Sequence, residues 1–323
     1  MPYKYEMKPL FRERMSVLLP EENDFEKFEK IVHTSPLNFI RCNTIKMHPI
    51  ELAERLRKKW IVKQPYPEYP EILLIESDLK PGELGNSIEH ILGYYYIQEV
   101  SSMMAIIALS PEPNELILDL CASPGSKTTQ MAAKMQNKGT IIANDLKIDR
   151  IAILSANIEK CGVTNAIITR KDAIALCSNL SKSNFPKFDR ILLDVPCSGE
   201  GTLRSSPKTF LMWNYKLINK FSRQQKKFIA FALKCLKVGG VLVYSTCTHS
   251  PEENEEVIDF ALKNFPVKIE SVSLPLKCRP GITKWKDKNY NKEVDKCLRI
   301  YPQDNDSEGF FVCKMTLIGE IEK

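Results

Sequence analysis

Two segments of the sequence place a cysteine directly after an apolar run. Residues 192–204 read LLDVPCSGEGTLR, and the run ends at Asp194, shortly before Cys197. Residues 239–256 read GGVLVYSTCTHSPEENEE, with Cys247 at the corresponding point. A thiolate is a nucleophile that can form a covalent intermediate with a substrate. Because short apolar runs are typical of strands, the pattern predicts two reactive thiols at the ends of two strands.

A third segment, LDLCASPGSKTTQ (118–130), has the pattern of a strand, a Pro-Gly loop and a helix start. A helix N-terminus presents backbone N–H groups to a ligand, although a tight turn without a ligand has the same pattern. The segment matches neither G-x-x-x-x-G-K-[ST] nor G-x-G-x-x-G. By itself the segment is therefore a weak sign of a ligand site. The residues that follow it decide between a ligand site and a tight turn.

Three aspartates end the next three strands of the pattern. Asp145 follows Gly125 by 20 residues, the distance at which an acidic residue commonly bonds the ribose of a nucleoside cofactor. Asp172 and Asp194 end the two strands after it. Each aspartate could instead cap the helix that follows. Their convergence with the loop at one sheet edge favours a nucleoside-cofactor site.

Strands and helices alternate from residue 115 onward, which is typical of a parallel sheet with helices on both faces. The predicted strands are ELILDL, GTIIAND, NAIITRKDA, FDRILLDVP, GGVLVYSTC and GFFVCKMTL. The predicted helices are SKTTQMAAKMQ, KIDRIAILSANIEKCG, LINKFSRQQKKFIAFALKCL and PEENEEVIDFALKNF. Ligands gather at the carboxyl ends of the strands in such sheets, where both thiols and the aspartates are expected.

The first part of the chain has a mixed α/β pattern, with helical segments around a predicted strand, LNFIRCNTIK. We place a domain boundary near residue 92. Residues 1–92 then form a smaller N-terminal α/β domain, and residues 93–323 form the catalytic α/β domain. No low-complexity linker separates them, so we expect the two domains to pack together.

The composition is that of a globular protein, with 323 residues, 43% of them hydrophobic and 27% charged. No apolar run reaches the length of a membrane span, and the charged start MPYKYEMKPLFRERMS lacks an apolar signal core. We therefore expect a cytoplasmic protein without a membrane partner. The ten cysteines contain no C-x-x-C pair and the four histidines do not cluster, so no metal site is expected.

The region between Glu200 and Glu252 contains nine basic residues and no acidic residue. Such a one-sign stretch favours a polyanionic partner, although a solvated basic helix face would have the same composition. Lys226 and Lys227 are candidate phosphate contacts. Aromatic residues between the basic ones are candidates for stacking on bases: Phe210, Trp213, Tyr215, Phe221 and Phe228. Some of them are expected in the core, because Phe228 and Phe231 sit in an amphipathic helix.

Four motifs, CASPGSKTTQ, DVPCSGEGT, YSTCTHSPEENEE and LRIYPQDNDSEGFFVCKM, resemble the NOL1/NOP2/Sun family of RNA 5-methylcytosine methyltransferases. PGSKTTQ followed by IIAND is most similar to the Trm4-like, tRNA-modifying branch. The resemblance covers residues 37–317, and the Pro-Cys and Thr-Cys pair is its most specific part. Ser123 and Ser126 stand where many members have Ala and Gly, and Gln303 stands where many have His.

The resemblance implies S-adenosylmethionine as methyl donor, S-adenosylhomocysteine as product, a Rossmann-like catalytic domain and an RNA-binding N-terminal domain. It implies Cys247 as the nucleophile and Cys197 as the residue that aids product release. It also implies a monomer, with a protein partner left open. The implied cofactor-binding residues are Cys121, Ala122, Ser123, Pro124, Gly125, Ser126, Lys127, Asp145, Arg150, Asp172 and Asp194.

The chemistry of cytosine methylation independently suits these residues. A thiolate that adds to carbon 6 makes carbon 5 nucleophilic toward a methyl donor. A free cysteine has a pKa of about 8.5, so a basic neighbour such as Lys127 would favour the thiolate. Asp194 could bond the cytosine edge.

We therefore expect RNA, and tRNA in particular, as the substrate. A ribosomal RNA enzyme and a non-catalytic RNA-binding factor are the alternatives, and His249 raises a weaker one, a Cys–His hydrolase.

Overall fold

The computed structural model describes residues 6–321, which contain two main sheets and a two-stranded hairpin. The predicted domain ranges 1–92 and 93–323 therefore begin and end outside the described residues, at positions 1–5 and 322–323. Within 6–321, every helix is too short or too polar to cross a membrane.

The N-terminal elements surround a small antiparallel sheet. Their bounds are α1 Pro9–Leu18, α2 Asp24–Ile31, β1 Asn38–Cys42, α3 Pro49–Leu56, β2 Val62–Lys63, β3 Ile72–Ile75, α4 Ile88–Ile91 and β4 Tyr95–Ile97. The four strands lie in the order β2-β3-β1-β4. Pro49 begins α3. A proline suits the first helical position, because the N–H that it lacks would have no helical partner there.

The rest of the chain builds a nine-stranded sheet and its helices. Their bounds are α5 Val100–Leu109, β5 Leu116–Asp119, α6 Ser126–Lys134, β6 Thr140–Asp145, α7 Ile148–Cys161, β7 Ala166–Arg170, α8 Ala173–Lys182, β8 Phe188–Asp194, α9 Thr209–Met212, α10 Tyr215–Leu233, β9 Leu236–Thr246, α11 Glu255–Asn264, β10 Val267–Glu270, β11 Arg279–Pro280, β12 Lys284–Trp285, β13 Lys288–Asn289, β14 Leu298–Ile300, α12 Pro302–Asn305 and β15 Phe310–Leu317.

Five parallel strands in the order β7-β6-β5-β8-β9 form the centre of this sheet. This order, with helices on both faces, confirms the prediction of a Rossmann-like α/β domain. The sheet is not parallel throughout, because β15 pairs antiparallel with β9, and β14, β11 and β10 extend the antiparallel part. The segment 301–309 that joins β14 to β15 is shorter than a parallel crossover requires.

Helices cover both faces of the large sheet. The apolar side chains of α5, α6 and α7 pack on one face, and those of α8, α10 and α11 pack on the other. Helix α5 is apolar almost all round, and nine of its ten residues are buried, as expected for a helix with no polar face. Glu99 caps α5 by accepting a hydrogen bond from the backbone N–H of Ser101 at 2.7 Å.

The first two helices pack on the catalytic sheet rather than on the small one. Phe11 on α1 lies edge-on against Trp213, with ring centroids 5.3 Å apart. Asp24 on α2 pairs with Arg279 at 2.5 Å. The small sheet continues to Ile97 on β4. The domain boundary near residue 92 stays a prediction. Helices α1 and α2 precede it in the chain but pack on the catalytic domain.

Helix α8 is not predicted from the sequence, and it lies between the predicted strands NAIITRKDA and FDRILLDVP. The predicted strand NAIITRKDA ends early, at Arg170, and α8 begins at Ala173. Asp172 separates the two elements, and its Oδ1 accepts a hydrogen bond from the backbone N–H of Ala175 at 3.0 Å. An aspartate at the N-cap starts a helix, so the strand-end aspartate is also the signal for α8.

The helix predicted over 251–265 begins later than the pattern suggests. Its first residue is Glu255. Glu253 turns inward instead of continuing a helical surface, and it accepts a hydrogen bond from the backbone N–H of Ser198 at 3.0 Å. This long-range contact therefore overrides the local preference of Pro and Glu for a first helical turn.

Candidate active site

The two predicted reactive thiols meet at the carboxyl edge of the sheet. Cys197 follows β8 and Cys247 follows β9, and their Sγ atoms are 3.3 Å apart. Both side chains are partly exposed. The pKa of Cys197 lies well above its ordinary value because of the neighbouring Cys247 sulfur and because of burial. Cys197 is therefore protonated at neutral pH and can donate an S–H hydrogen bond to Cys247.

The loop that carries Cys197 is held from behind by two buried side chains, Gln225 of α10 and Glu253. Nε2 of Gln225 donates to the carbonyl of Pro196 and to Oε2 of Glu253, both at 3.0 Å. The same carboxyl accepts from the N–H of Ser198. One side-chain oxygen of Gln225 and one of Glu253 have no partner in the described chain. Burial raises the pKa of Glu253 to about 8, so this carboxyl is protonated at neutral pH.

A small cavity of about 40 Å³ opens at the carboxyl ends of β5 and β8. Its lining residues are Asp119, Cys121, Ala122, Ser123, Pro124, Ser126, Lys127 and Asp194. All of them except Asp119 are among the predicted cofactor-binding residues. The structure thus brings the predicted loop and one strand-end carboxylate to a single cavity.

Gly125 makes the turn from the loop into α6. Its φ is +101°, a conformation that strains every residue with a Cβ. A Cβ at this position would also stand 3.1 Å from Cδ1 of Leu154. The first turn of α6 contains no acidic side chain, so its backbone N–H groups are available to an anionic group of a ligand.

Asp119 is a buried cavity residue that the sequence patterns do not select. Its Oδ2 accepts from Oγ1 of Thr128 at 2.6 Å, whereas its Oδ1 has no partner in the described chain. Burial raises the pKa of Asp119 to about 7, and the charge of Asp194 adds to this effect. A buried polar atom without a partner in a cavity wall points to a ligand. Asp119 also ends a strand, β5, so extending the strand-end pattern to the strand before the loop would have found it.

Asp145 and Arg150 hold the cofactor loop from outside the cavity. Oδ2 of Asp145 accepts from the N–H of Ser123 at 3.3 Å and from Nε of Arg150 at 3.1 Å. Arg150 also donates to the carbonyl of Ser123 at 2.6 Å. Asp172 lies apart from them, as the cap of α8. Its role in cofactor binding stays a prediction, and the structure shows the capping alternative.

Lys127 and Asp194 form an ion pair at the cavity wall, with Nζ 2.7 Å from Oδ2. Nζ of Lys127 also donates to Oγ of Ser102 at 2.8 Å. The other oxygen of Asp194 accepts from Oγ of Ser245 at 2.7 Å. Lys127 thus bonds Asp194 and Ser102 and neither thiol. The predicted effect of Lys127, to favour a thiolate, would therefore be an effect of its positive charge.

A buried arginine of the small sheet supports the start of α6. Arg41 on β1 donates to the carbonyl of Ser126 at 2.7 Å and to Oγ1 of Thr129 at 2.9 Å. It also bonds the side-chain oxygen of Gln98. The residue is 2% exposed, and burial lowers its pKa to about 10. Arg41 therefore stays charged at neutral pH while all its hydrogen-bond partners in the described chain are neutral oxygens.

His249 does not form a Cys–His pair with Cys247. Its ring is buried and stacks on Tyr301 with centroids 5.0 Å apart, and the edge of Phe28 lies against it. Burial lowers the pKa of His249 to about 3, with a smaller effect from the charge of Arg299. The ring is therefore neutral and belongs to the core, so the hydrolase alternative has no support in the geometry.

The predicted phosphate contacts and stacking residues divide between core and surface. Lys226 pairs with Glu256 at 2.8 Å, and its contact with phosphate stays a prediction, whereas Lys227 is exposed. Three of the five aromatic candidates are core residues: Phe210, Trp213 and Phe228. The stacking prediction is wrong for Phe210 and Trp213, whereas Phe228 is in the core as its amphipathic helix predicts, and all three fill the space beneath α1 and α10. Tyr215 and Phe221 remain partly exposed.

The fold and the site define a class of protein, the Rossmann-like S-adenosylmethionine-dependent methyltransferases. The central strand order, the loop at the start of α6 and the carboxylates at the strand ends are the features of that class. In residues 6–321 we find no group of three or more His, Cys, Asp or Glu side chains that could hold a metal ion.

The chain belongs to the 16S rRNA methyltransferase RsmB/F family, whose pattern matches residues 106–316. Residues 7–100 match the N-terminal domain of 16S rRNA methyltransferase RsmF. The chain is 42% identical over 319 residues to the tRNA (cytosine(49)-C(5))-methyltransferase of Pyrococcus abyssi, covering 98% of this chain and 99% of that one. It is 38% identical to the ribosomal RNA small subunit methyltransferase F of Psychromonas ingrahamii, covering 96% of this chain but 63% of the length of that relative.

Two solved structures agree with the fold over nearly the whole chain. A methyltransferase homolog protein from Pyrococcus horikoshii superposes with a TM-score of 0.83 at 31% identity, covering 96% of this chain and 95% of that one. NSun6 from Pyrococcus horikoshii, solved with SFG, superposes with a TM-score of 0.83 at 26% identity, covering 97% of this chain and 99% of that one.

Proposed function

We propose that this protein is an S-adenosylmethionine-dependent RNA cytosine carbon-5 methyltransferase that acts on tRNA. The observation that carries the proposal is the pair of thiols, Cys197 and Cys247, whose sulfur atoms are 3.3 Å apart at the edge where the cavity opens. One thiol suffices for a nucleophile, so a second one in contact with it supports a reaction in which a covalent adduct forms and is then released.

The cofactor is S-adenosylmethionine, and the cavity residues fit it. A ligand with an ammonium group and ribose hydroxyls carries the donors that Oδ1 of Asp119 lacks, and its carboxylate suits the N–H groups at the start of α6. SFG, bound in the solved NSun6 structure, is an analogue of this cofactor. When bound, S-adenosylmethionine supplies an electrophilic methyl group. The loop 121–127 and Asp119 would hold it, with Asp145 and Arg150 supporting the loop.

Cys247 is the nucleophile in this proposal. Its sulfur bonds to carbon 6 of cytosine, and the electron pair of the 5,6 double bond makes carbon 5 nucleophilic. The S–H group of Cys197, 3.3 Å away, is positioned to donate a hydrogen bond to the attacking sulfur. Covalent catalysis of this kind replaces one difficult substitution with two easier steps.

Asp194 holds the cytosine ring and raises its reactivity. Its side chain is 26% exposed at the cavity wall, and Lys127 and Ser245 fix its two oxygens. A carboxylate in this position accepts a hydrogen bond from the amine of cytosine. This bond favours the protonated ring, which is more readily attacked at carbon 6.

Cys197 serves product release. After the methyl group is in place, solvent water takes the carbon 5 proton, and the electron pair of that C–H bond re-forms the 5,6 double bond. The C–S bond breaks with its electron pair on the Cys247 sulfur, which restores the ring. The leaving sulfur is a thiolate, and the S–H group of Cys197 at 3.3 Å is positioned to stabilise it. Without Cys197, the adduct forms but the sulfur leaves slowly.

The support for tRNA is the similarity to the Pyrococcus abyssi tRNA enzyme, at 42% identity over 99% of that chain. The second candidate is ribosomal RNA, which the names of the family and of the other relatives favour. Both substrates place an unpaired or flipped cytosine over Cys247. RNA binding by residues 1–92, a monomeric state and a cytoplasmic location belong to the same proposal, and the family resemblance supports them.

Bisulfite sequencing of tRNA and rRNA pools after incubation with the enzyme and S-adenosylmethionine tests the proposal, since 5-methylcytosine resists conversion. We expect new protected cytosines in tRNA with the intact enzyme and none with Cys247→Ala. If new protected cytosines occur only in rRNA, the substrate is ribosomal RNA, the second candidate, and not tRNA. Protection in neither pool, with both variants folded and RNA-bound, would contradict an enzymatic role and favour a factor that binds RNA without methylating it.

A further inference from the structure

Helix α10 carries a stripe of four exposed basic side chains: Lys216, Lys220, Arg223 and Lys227. We call this set the α10 stripe. The intervals of four, three and four residues place all four on one face of the helix. Elsewhere in the same stretch, ion pairs hold Arg204, Lys226 and Lys237, whereas none of the stripe residues has an acidic partner within residues 6–321.

The α10 stripe borders an open groove of about 560 Å³. The other lining residues are Asn219 and Gln224 from the same helix and Ile174 from α8. Ile174 is the only large apolar side chain in that lining, and protein interfaces need a central set of apolar or aromatic anchors. A groove lined by four cations and two amides instead fits a chain of phosphates.

The stripe lies within reach of an RNA whose target base is at the thiols. Gln225 points from the opposite face of α10, and its side chain bonds the carbonyl of Pro196, the residue before Cys197. Only the width of one helix, roughly 10–12 Å, therefore separates the stripe from the catalytic loop. Stacked nucleotides advance about 3.4 Å each along a strand, so roughly three or four nucleotides span this width.

We propose that the α10 stripe binds the phosphate backbone of the RNA substrate, beginning roughly three or four nucleotides from the target cytosine. The inference rests on the proposed function for the position of the target base. From Lys216 to Lys227 the stripe extends about 16 Å along the helix, which accommodates several consecutive phosphates. Its contacts are independent of base identity, so the stripe contributes affinity, while the thiol edge selects the base.

The test is the salt dependence of RNA binding by the double variant Lys220→Gln/Arg223→Gln. The probe is a fluorescent, unmodified tRNA transcript, titrated at 50 to 200 mM salt with S-adenosylhomocysteine present. Each lost phosphate contact lowers the slope of log K against log salt by about 0.7 to 0.9, so we expect a decrease of about 1.4 to 1.8. At 0.1 M salt the same slope corresponds to a loss of roughly 25-fold or more in affinity.

The matched control is Lys138→Gln/Lys268→Gln, which removes the same charge far from the thiols. Lys138 precedes β6, and Lys268 lies level with Val241, toward the amino ends of the parallel strands. We expect the control to keep the wild-type slope. An unchanged slope of log K against log salt in the Lys220/Arg223 variant, or an equal change in the control, would overturn the proposal. An acidic protein would then be the candidate partner of the α10 stripe.

A second measurement separates this inference from the proposed function. Methylation of a five-nucleotide RNA with a central cytosine should have the same kcat/KM in wild type and in the Lys220/Arg223 variant, because so short a substrate does not reach the stripe. A loss of kcat/KM on this substrate would place the two residues in the catalytic site and contradict the proposal. A wild-type enzyme that methylates no RNA while the binding slope still changes would refute the function and leave the stripe as an RNA-binding surface.

Discussion

The two thiols to which we assign attack and release are the same kind of side chain, and their surroundings differ. Cys197 lies on a loop clamped by Gln225 and Glu253, and its raised pKa keeps the proton on its sulfur. Cys247 follows strand β9, and its Sγ lies 3.3 Å from that of Cys197. These surroundings support the order of events that we propose, with attack at Cys247 first and release assisted by Cys197 afterwards.

Cys197→Ala should accumulate a covalent protein–RNA adduct. The variant keeps the nucleophile but loses the S–H group that stabilises the leaving thiolate. A slowly migrating band on a denaturing gel, lost again in Cys197→Ala/Cys247→Ala, is the expected result. Cys121→Ala is the matched control, since Cys121 lines the cavity but is not part of the thiol pair. Normal turnover without an adduct would show that Cys197 has no part in release.

Glu253→Gln should change the alkaline side of the pH profile. The pKa of Glu253 is raised to about 8, so the native carboxyl is neutral at pH 7 and ionises above about pH 8, where it disturbs the clamp on the Cys197 loop. The amide of the variant stays neutral. We expect wild-type kcat on saturating RNA to fall above about pH 8, and we expect Glu253→Gln to match it at pH 7 and to lack this fall.

The surface variant Glu256→Gln is the control for that experiment, because Glu256 pairs with Lys226 and Lys288 outside the clamp. It should keep the wild-type profile. If Glu253→Gln shows the same alkaline decrease as wild type, the group responsible for the decrease is not Glu253.

Among the secondary-structure elements, strand β1 contacts the start of helix α6 and so links the small sheet to the predicted cofactor loop. Arg41 on β1 bonds the carbonyl of Ser126 and the hydroxyl of Thr129 on α6. A buried charge whose partners are neutral oxygens is costly to desolvate. Its presence indicates that a fixed start of α6 matters for the site above it.

Arg41→Met should weaken cofactor binding while the sheet remains folded. The substitution leaves buried oxygens without donors, at about 1–3 kcal/mol each, and the start of α6 can then shift. Titration calorimetry with S-adenosylhomocysteine should show a loss of roughly tenfold or more, since about 1.4 kcal/mol corresponds to a factor of ten. Arg55→Met, which removes an arginine paired with Glu89 far from α6, should leave the affinity unchanged. Equal affinity in Arg41→Met and wild type would refute the link.

Sequence patterns predict the elements that depend on neighbouring residues. They are less accurate where a contact between residues distant in the sequence sets the local structure. Apolar runs locate β5, β6, β8 and β9, and the strand-end rule finds Asp145 and Asp194. The start of α11 depends on a bond between Glu253 and the N–H of Ser198, 55 residues away. Arg41 meets Ser126 across 85 residues. No local spacing contains these partners, so neither the clamp nor the Arg41 link could be predicted.

For the molecule as a whole, buried titratable groups give opposing contributions to stability. The pKa of His249 is lowered to about 3, so below pH 6.5 the unfolded chain binds a proton that the folded chain excludes. Its contribution is present above pH 6.5 and is lost as the pH falls. The pKa values of Glu253 and Asp119 are raised, to about 8 and about 7. Their contributions are present at low pH and are lost as the pH rises through those values.

His249→Gln isolates one of these contributions. From pH 7.5 to pH 5.5 the wild type should lose about 1.4 kcal/mol relative to the variant in the free energy of unfolding, as linkage requires for a histidine of ordinary pKa in the unfolded chain. Urea unfolding followed by tryptophan fluorescence at both pH values measures the difference. The variant can be less stable at each pH without affecting the test. A difference that is the same at both pH values would show that His249 is not excluded from protonation in the fold.

The packing of α1 and α2 on the catalytic sheet has a consequence for the order in which the chain is made. Asp24 and its partner Arg279 are separated by 255 residues. At the usual synthesis rates of about 5–20 residues per second, Asp24 on α2 is made roughly 13–51 s before Arg279. During that time the inner faces of both helices are exposed to solvent and to the protease and chaperone machinery. Chains arrested on the ribosome at residue 270 should be cleaved readily between residues 9 and 31, and chains arrested well beyond β15 should resist. Equal cleavage at both lengths would mean that the two helices are protected without the late strands.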